Sequence, residues 1–118
     1  MNGANTRVVA ANVLDAVMHR RRSLKAELAN ALPKLPDPRD RALVEAAVMA
    51  ALREHGRYAD VLTQWMARPP AARDGLLRSL IYIGLAQIDA MKLSPHAAVD
   101  ATVEAARLSA TRPCAACR

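Results

Sequence analysis

The stretch of sequence that decides the fold runs from Leu76 to Glu104 and reads LLRSLIYIGLAQIDAMKLSPHAAVDATVE. In its first half, apolar residues recur at helical spacing at positions 77, 80, 81, 84, 85 and 88, and more apolar residues lie on the other sides. A helix with that much apolar surface must pack among other elements. Ser94 then offers an N-cap and Pro95 a first helical residue, so another helix begins there. We therefore predict an all-α bundle around a buried central helix.

The composition agrees with a single helical domain. The chain has 118 residues, of which 53% are apolar, and these are mostly Ala, Leu and Val with no Phe. Small aliphatic residues of this kind favour packed helices over a sheet. Four glycines leave little room for phosphate-binding loops, and no glycine-rich nucleotide motif is present. We expect one helical domain over residues 1–110 and an atypical tail over residues 111–118.

Helix start and stop signals divide this domain into about six helices. Asp37 and Pro38 give the third helix an N-cap and a first residue, and Gly56 can end that helix. Gly84 falls within the central helix, where the missing side chain favours the close approach of a neighbouring helix. The predicted helices span residues 6–19, 23–32, 38–54, 58–66, 72–90 and 95–109.

The charge balance indicates a polyanionic partner. The net charge is +6, and fourteen of the seventeen basic residues are Arg. A genome that favours Arg codons would explain the choice of Arg over Lys, but not the excess of positive charge. No apolar run of about 18 residues exists, so we predict no membrane-spanning helix and no membrane partner. Both cysteines lie in the last five residues, and without a disulfide framework we expect a cytoplasmic protein.

Several blocks of the sequence resemble the amino-terminal domain of the RsmB family. Their order and spacing carry the resemblance, which covers roughly residues 7–108. The blocks are RVVAANVLDAV (7–17), RSLKAEL (22–28), DPRDRALVE (37–45), ALR (51–53), WMARP (65–69), YIGLAQI (82–88) and PHAAVDATVE (95–104).

The resemblance implies both a fold and a function. Members of the RsmB family are small-subunit rRNA cytosine-C5 methyltransferases, and their amino-terminal domain is similar in fold to NusB, the antitermination factor. In the family this helical domain assists RNA binding. A separate catalytic domain uses S-adenosylmethionine and a cysteine nucleophile, so we expect no cofactor in this chain. Family members usually continue past the sixth helix, whereas this sequence ends TRPCAACR (111–118), which we interpret as a truncation. VMA (48–50) also replaces their usual aromatic-Gly pair.

The residues themselves show no catalytic or metal constellation. Cys114 and Cys117 form a lone C-x-x-C, which is a weak metal or redox signal without a second pair. His19, His55 and His96 are far apart in sequence, and each is predicted near a helix end, where structural roles are common.

Basic residues are the better candidates for a site. Clusters around the first helix and on the third could line one face if the two helices pack side by side, and guanidinium groups would contact RNA phosphates there. The alternative is a solvated charged surface. With few aromatic residues to stack on bases, we expect positioning on rRNA and little base selection. The predicted RNA-binding residues are Arg7, Arg20, Arg21, Arg22, Lys25, Arg41 and Arg53.

Two other functions remain open. The chain could be a stand-alone NusB-like antitermination factor that regulates transcription by binding RNA and a ribosomal protein. It could also be a protein-interaction module that uses an exposed apolar strip. A homodimer is a further possible partner, because an exposed apolar face can be covered by a second copy.

Overall fold

The computed structural model describes residues 3–66 and 74–111 of the chain. Within these ranges every regular element is a helix, which confirms the predicted all-α class. Residues 67–71, between the fourth and fifth predicted helices, and residues 112–118 of the predicted tail (111–118) lie outside the described residues, so the domain boundary near residue 110 stays a prediction. The elements are α1 (Gly3–His19), α2 (Leu24–Ala31), a 3-10 turn (Leu32–Lys34), α3 (Pro38–Trp65), α4 (Gly75–Asp89) and α5 (Pro95–Thr111).

The helix starts follow the predicted local signals. Ser23 caps α2, since its hydroxyl accepts a hydrogen bond from the Ala26 amide at 3.3 Å. Asp37 caps α3 in the same way by accepting from the Arg39 amide at 2.9 Å. Pro38 and Pro95 are the first residues of α3 and α5, where a missing N–H group leaves no hydrogen bond unmade.

The predicted end of a helix at Gly56 is wrong. The third and fourth predicted helices form the single 28-residue helix α3, which runs through Gly56 to Trp65. No glycine among the described residues has a positive φ, so Gly56 does not adopt the left-handed conformation of a helix terminator. Beyond it, Tyr58 and Leu62 are buried in the same core as Val48, and this packing stabilises the helix across the glycine.

Gly56→Ala is expected to raise the free energy of unfolding by about 0.5–1 kcal/mol. A Cβ atom at this position would meet nothing within 4 Å, so alanine adds helix propensity without a clash. Urea denaturation followed by circular dichroism measures the difference. A loss of stability on this substitution would instead support the helix end predicted from the sequence.

The core lies between α1 and α4. α1 packs against all four other α-helices, and α4 packs against α1, α3 and α5, so the two helices share the central position predicted for α4 alone. On α1 the buried side chains include Ala10, Val13 and Leu14. On α4 the fully buried side chains include Leu80, Tyr82 and Ile83.

Close packing between α4 and α5 depends on Gly84, as predicted. A Cβ atom on Gly84 would lie 3.2 Å from both the methyl carbon and the hydroxyl oxygen of Thr102 on α5. One turn further along α4, the Gln87 side chain is fully buried and donates to the Ile83 carbonyl at 3.1 Å and the Thr102 hydroxyl at 3.4 Å. A buried amide needs such partners, so Gln87 fixes how α5 sits on α4.

A polar cluster fastens the second half of α3 to α4. The Tyr58 hydroxyl donates to Asp89 at 3.0 Å, and Arg57 bridges Asp89 and Glu54. Burial is the main reason that the pKa of Tyr58 is raised to about 12, and its hydrogen bond to Asp89 adds to that rise. The hydrogen bond from Arg57 is the main reason that the pKa of Asp89 lies below its usual range. The Tyr58 ring also packs against Tyr82, with 6.2 Å between ring centroids.

Candidate nucleic-acid interface

Four of the seven predicted RNA-binding residues lie together where α1 turns into α2. α1 ends at His19, the next three residues are arginines, and Ser23 starts α2. All four side chains are exposed. Cations are favoured at this place because the carbonyl end of α1 carries partial negative charge. We call this set the α1–α2 corner, and its members are Arg20, Arg21, Arg22 and Lys25.

The backbone of the corner is held by hydrogen bonds to the last turns of α1. The amides of Arg20 and Arg22 both donate to the Ala16 carbonyl, at 3.2 and 3.0 Å. Arg21 lies between them with φ 56°, in the left-handed region. This conformation ends α1 sharply and presents three consecutive guanidinium groups at one end of the bundle.

α2 is the most exposed helix of the described fold. None of its residues is buried, and among the α-helices its main packing partner is α1. Between α1 and α2 lies a groove of about 250 Å³, which we call the α1–α2 groove. Arg20 of the corner is one of its lining residues, which are Val9, Asn12, Val13, Arg20, Glu27, Asn30, Ala31 and Lys34.

Sequence reasoning missed four polar residues that line this groove, which are Asn12, Glu27, Asn30 and Lys34. Asn12, Asn30 and Lys34 lie on different elements, and nothing in their local sequence pattern sets them apart. They meet because α2 packs against α1, so that residues of both helices line the same groove. The sequence pattern that could reveal these residues is a pair of consecutive helices with exposed polar positions facing each other.

Arg7 and Arg41 are held by groups of the protein itself. Arg7 donates from Nε to the Gln87 side chain at 2.8 Å. Burial lowers the pKa of Arg7, and the negative charge of Asp40 opposes that shift. Arg41 donates to the carbonyls of Leu35 and Pro36 at 2.6 and 3.0 Å, which holds the proline-rich segment against the start of α3.

The predicted residues therefore do not form one continuous face. Arg7 and Arg20 are separated by about 20 Å along α1 at 1.5 Å per residue. The start of α3 lies at the Arg7 end, since Asp40 acts on the Arg7 guanidinium. Arg53 is exposed midway along α3, beside Met49 and Met91 in a separate shallow pocket. The structure brings together only the four residues of the corner.

The three histidines stay apart. His19 lies 2.7 Å from Asp15, His55 lies 2.7 Å from the Leu52 carbonyl, and His96 lies 3.5 Å from Asp100. The His19–Asp15 pair touches the start of α4, where a Cβ atom on Gly75 would be 2.8 Å from His19 Nδ1. Gly75 therefore lets α4 begin against α1.

No cluster of three or more His, Cys, Asp or Glu side chains suited to a metal ion is found within residues 3–66 and 74–111. The C-x-x-C of Cys114 and Cys117 lies outside these ranges.

Comparison with known proteins identifies the family of this helical bundle. The model of the NusB family matches residues 4–113, which is almost the whole chain. The chain belongs to the NusB family. This assignment agrees with the all-helical fold and with the resemblance of its sequence blocks. No solved structure matches the NusB-family chain significantly.

The curated relatives of this NusB-family chain carry the name ribosomal RNA small subunit methyltransferase B. The Xylella fastidiosa (strain Temecula1) protein is 52% identical over 91% of this chain and 25% of its own length. The Xanthomonas campestris protein is 51% identical over 89% of this chain and 24% of its own length. The Vibrio vulnificus protein is 37% identical over 87% of this chain and 24% of its own length. The chain thus spans about a quarter of the relatives that it matches.

A second surface of the NusB-family chain is apolar. Trp65 at the end of α3 is 76% exposed and stands beside a groove of about 280 Å³ between α4 and α5. We call this the apolar groove; only apolar atoms are accessible on its wall. Ile81, Leu85 and Ile88 of the predicted central stripe line it, so part of that stripe faces an open surface. None of the described helices is long and apolar enough to span a bilayer.

Proposed function

We propose that this NusB-family chain is the RNA-binding accessory domain of an S-adenosylmethionine-dependent rRNA (cytosine-C5) methyltransferase. The observation that carries the proposal is its match, at 51–52% identity over about nine-tenths of its length, to relatives named ribosomal RNA small subunit methyltransferase B. The cationic α1–α2 corner supports it, because guanidinium groups form paired hydrogen bonds to phosphate.

RNA binding and methyl transfer belong to different domains in this proposal. The relatives are about four times as long as the matched region, and we assign S-adenosylmethionine and the cysteine nucleophile to a separate catalytic domain. The role of this chain is to hold rRNA in the cytoplasm through phosphate contacts. Of the predicted residues, we assign the main contacts to the corner and lesser ones to Arg7, Arg41 and Arg53, because Arg7 and Arg41 also bind protein groups.

Binding of the wild-type chain to labelled fragments of small-subunit rRNA tests this function. We expect the logarithm of the association constant to fall linearly with the logarithm of salt concentration, with a slope of about −3 for four phosphate contacts. Fluorescence anisotropy across a salt series measures this slope. A chain that does not bind these fragments at low salt would refute the proposed function.

The second candidate is a stand-alone antitermination factor that binds RNA together with a ribosomal protein. The observation that favours a protein partner is the apolar groove beside the exposed Trp65, since exposed apolar patches of this kind mark interaction sites. Sedimentation of the chain with and without candidate ribosomal proteins distinguishes the two functions. A homodimer covering the groove would appear in the same measurement as a doubled mass.

A further inference from the structure

We propose that the α1–α2 corner and the α1–α2 groove together bind the sugar-phosphate backbone of a base-paired RNA segment, and that Arg21 is a principal phosphate contact. This inference rests on the proposed function, because it presupposes that the chain binds RNA. It narrows the site to one end of α1 and the outer helix α2. The site is inferred to recognise the sugar-phosphate backbone of the RNA and not its bases.

The conformation of Arg21 is the first argument. Its φ of 56° lies in the left-handed region, where a Cβ atom crowds the backbone and glycine is the favoured residue. The turn itself needs only the hydrogen bond from the Arg22 amide to the Ala16 carbonyl, at 3.0 Å, and glycine would allow that bond as well. Arginine at this position therefore lowers folding stability without improving the turn. Residues that keep such strain are common at binding sites.

Lys92 shows that the strain alone does not locate the site. It also has φ 56°, and the next amide, from Leu93, donates to a carbonyl six residues earlier, that of Gln87, at 2.9 Å. Lys92 follows α4 and lies near Asp89, whose pKa its positive charge helps to lower. The two turns have the same backbone geometry, but their electrostatic surroundings differ.

The surroundings of Arg21 are the second argument. Residues 20–34 contain five basic side chains and one acidic side chain, Glu27. No ion pair joins a residue of the corner to a carboxylate of the described part of the chain. The groove is lined by Arg20 and Lys34 and also by Glu27, so its lining carries two cations and one carboxylate. Together with the corner, it forms a surface of net positive charge, which attracts phosphates.

The uncharged polar side chains that line the α1–α2 groove indicate which kind of nucleic acid it binds. Asn12 and Asn30 line the groove, and an amide can donate to a phosphate oxygen and also pair with a 2′-hydroxyl group. No aromatic side chain lines the groove, so it offers no platform for unstacked bases. Tyr58 and Tyr82 pack against each other between α3 and α4. Backbone contact to a base-paired RNA segment is the mode that this set of groups supports.

The test compares Arg21→Gly with the matched variant Lys92→Gly in the full chain. Both substitutions relieve the same left-handed strain, so each is expected to raise the melting temperature by about 3–6 °C. Only Arg21→Gly is expected to weaken binding to a base-paired hairpin of small-subunit rRNA, by about tenfold, and to reduce the salt slope by about one. Lys92→Gly should bind the hairpin like the wild type. Thermal denaturation and fluorescence anisotropy give the two readouts.

A third variant tests the kind of nucleic acid. Asn12→Ala/Asn30→Ala is expected to reduce the preference for the RNA hairpin over a DNA hairpin of the same sequence, because only RNA has the 2′-hydroxyl group. An unchanged preference would overturn the assignment of backbone recognition to the groove.

The outcomes separate this inference from the proposed function. If the wild-type chain binds no rRNA, both fail. If the wild type binds and Arg21→Gly binds equally well, or Lys92→Gly loses as much affinity, the function stands and the assignment of Arg21 is wrong. A fall in melting temperature for Arg21→Gly would contradict the strain argument.

Discussion

Leu80→Ala is expected to lower the free energy of unfolding by about 2–5 kcal/mol, a large part of the stability of a domain this size. Leu80 is 2% exposed and lies in the core that α4 shares with α1. The substitution removes buried methyl groups and leaves a cavity that surrounding helices fill only in part. Because Leu80 packs in the central layer, few neighbouring groups can move to close the gap.

Leu77→Ala is the matched control, since it makes the same change one turn earlier on α4. Leu77 is 46% exposed, so its substitution should lower stability by less than about 1 kcal/mol. Urea denaturation of both variants, followed by circular dichroism, gives the comparison. Equal losses at the two positions would contradict the orientation of α4, and an unchanged melting curve for Leu80→Ala would contradict the central place of the helix.

Replacing Arg20, Arg21 and Arg22 together by Glu is expected to weaken binding to small-subunit rRNA at least about 100-fold at low salt. The change takes the net charge from +6 to 0, since each reversal removes two units of charge. The three new carboxylates would also repel the RNA phosphates. The salt dependence should flatten, because fewer counterions are released on binding. All three side chains are exposed, so the fold should persist.

The control reverses one exposed charge elsewhere, in Lys92→Glu. Lys92 lies at the end of α4 opposite to Gly75, the residue that touches His19 beside the corner. This variant should lose less than about tenfold in affinity, because it removes only long-range attraction, which salt screens. Filter binding or anisotropy over a salt series compares the two. A triple variant that binds like the wild type at every salt concentration would show that the corner is not the site.

Local chemistry explains why much of the fold could be predicted. The starts of α2 and α3 depend on side chains within three residues of each cap, so Ser23 and Asp37 could be recognised from their neighbours. The close approach at Gly84 was also predictable, because a glycine within an apolar stripe has few other uses. Gly56 misled the prediction. Whether a glycine ends a helix depends on what the next turns pack against, and Tyr58 and Leu62 pack into the core.

The candidate site was predictable only in part, because a sequence shows charge but not distant partners. The run Arg20-Arg21-Arg22 was evident from the sequence, and the structure keeps it together at the corner. Arg7 looked equivalent to these residues, yet its Nε donates to Gln87, eighty positions away. Asn12, Asn30 and Lys34 join the site only because α2 packs against α1.

The sequence by itself determined the helical class, most helix starts, the excess of positive charge and the blocks that relate the chain to its family. These properties depend on residue type and on contacts within a few positions of the chain. Tertiary structure alone decided that α3 is continuous, that α1 shares the centre with α4, and which arginines face outward. Those outcomes depend on the packing of helices that are far apart in sequence. Their relative placement depends on how much apolar surface the helices bury against one another, which no local stretch of sequence determines.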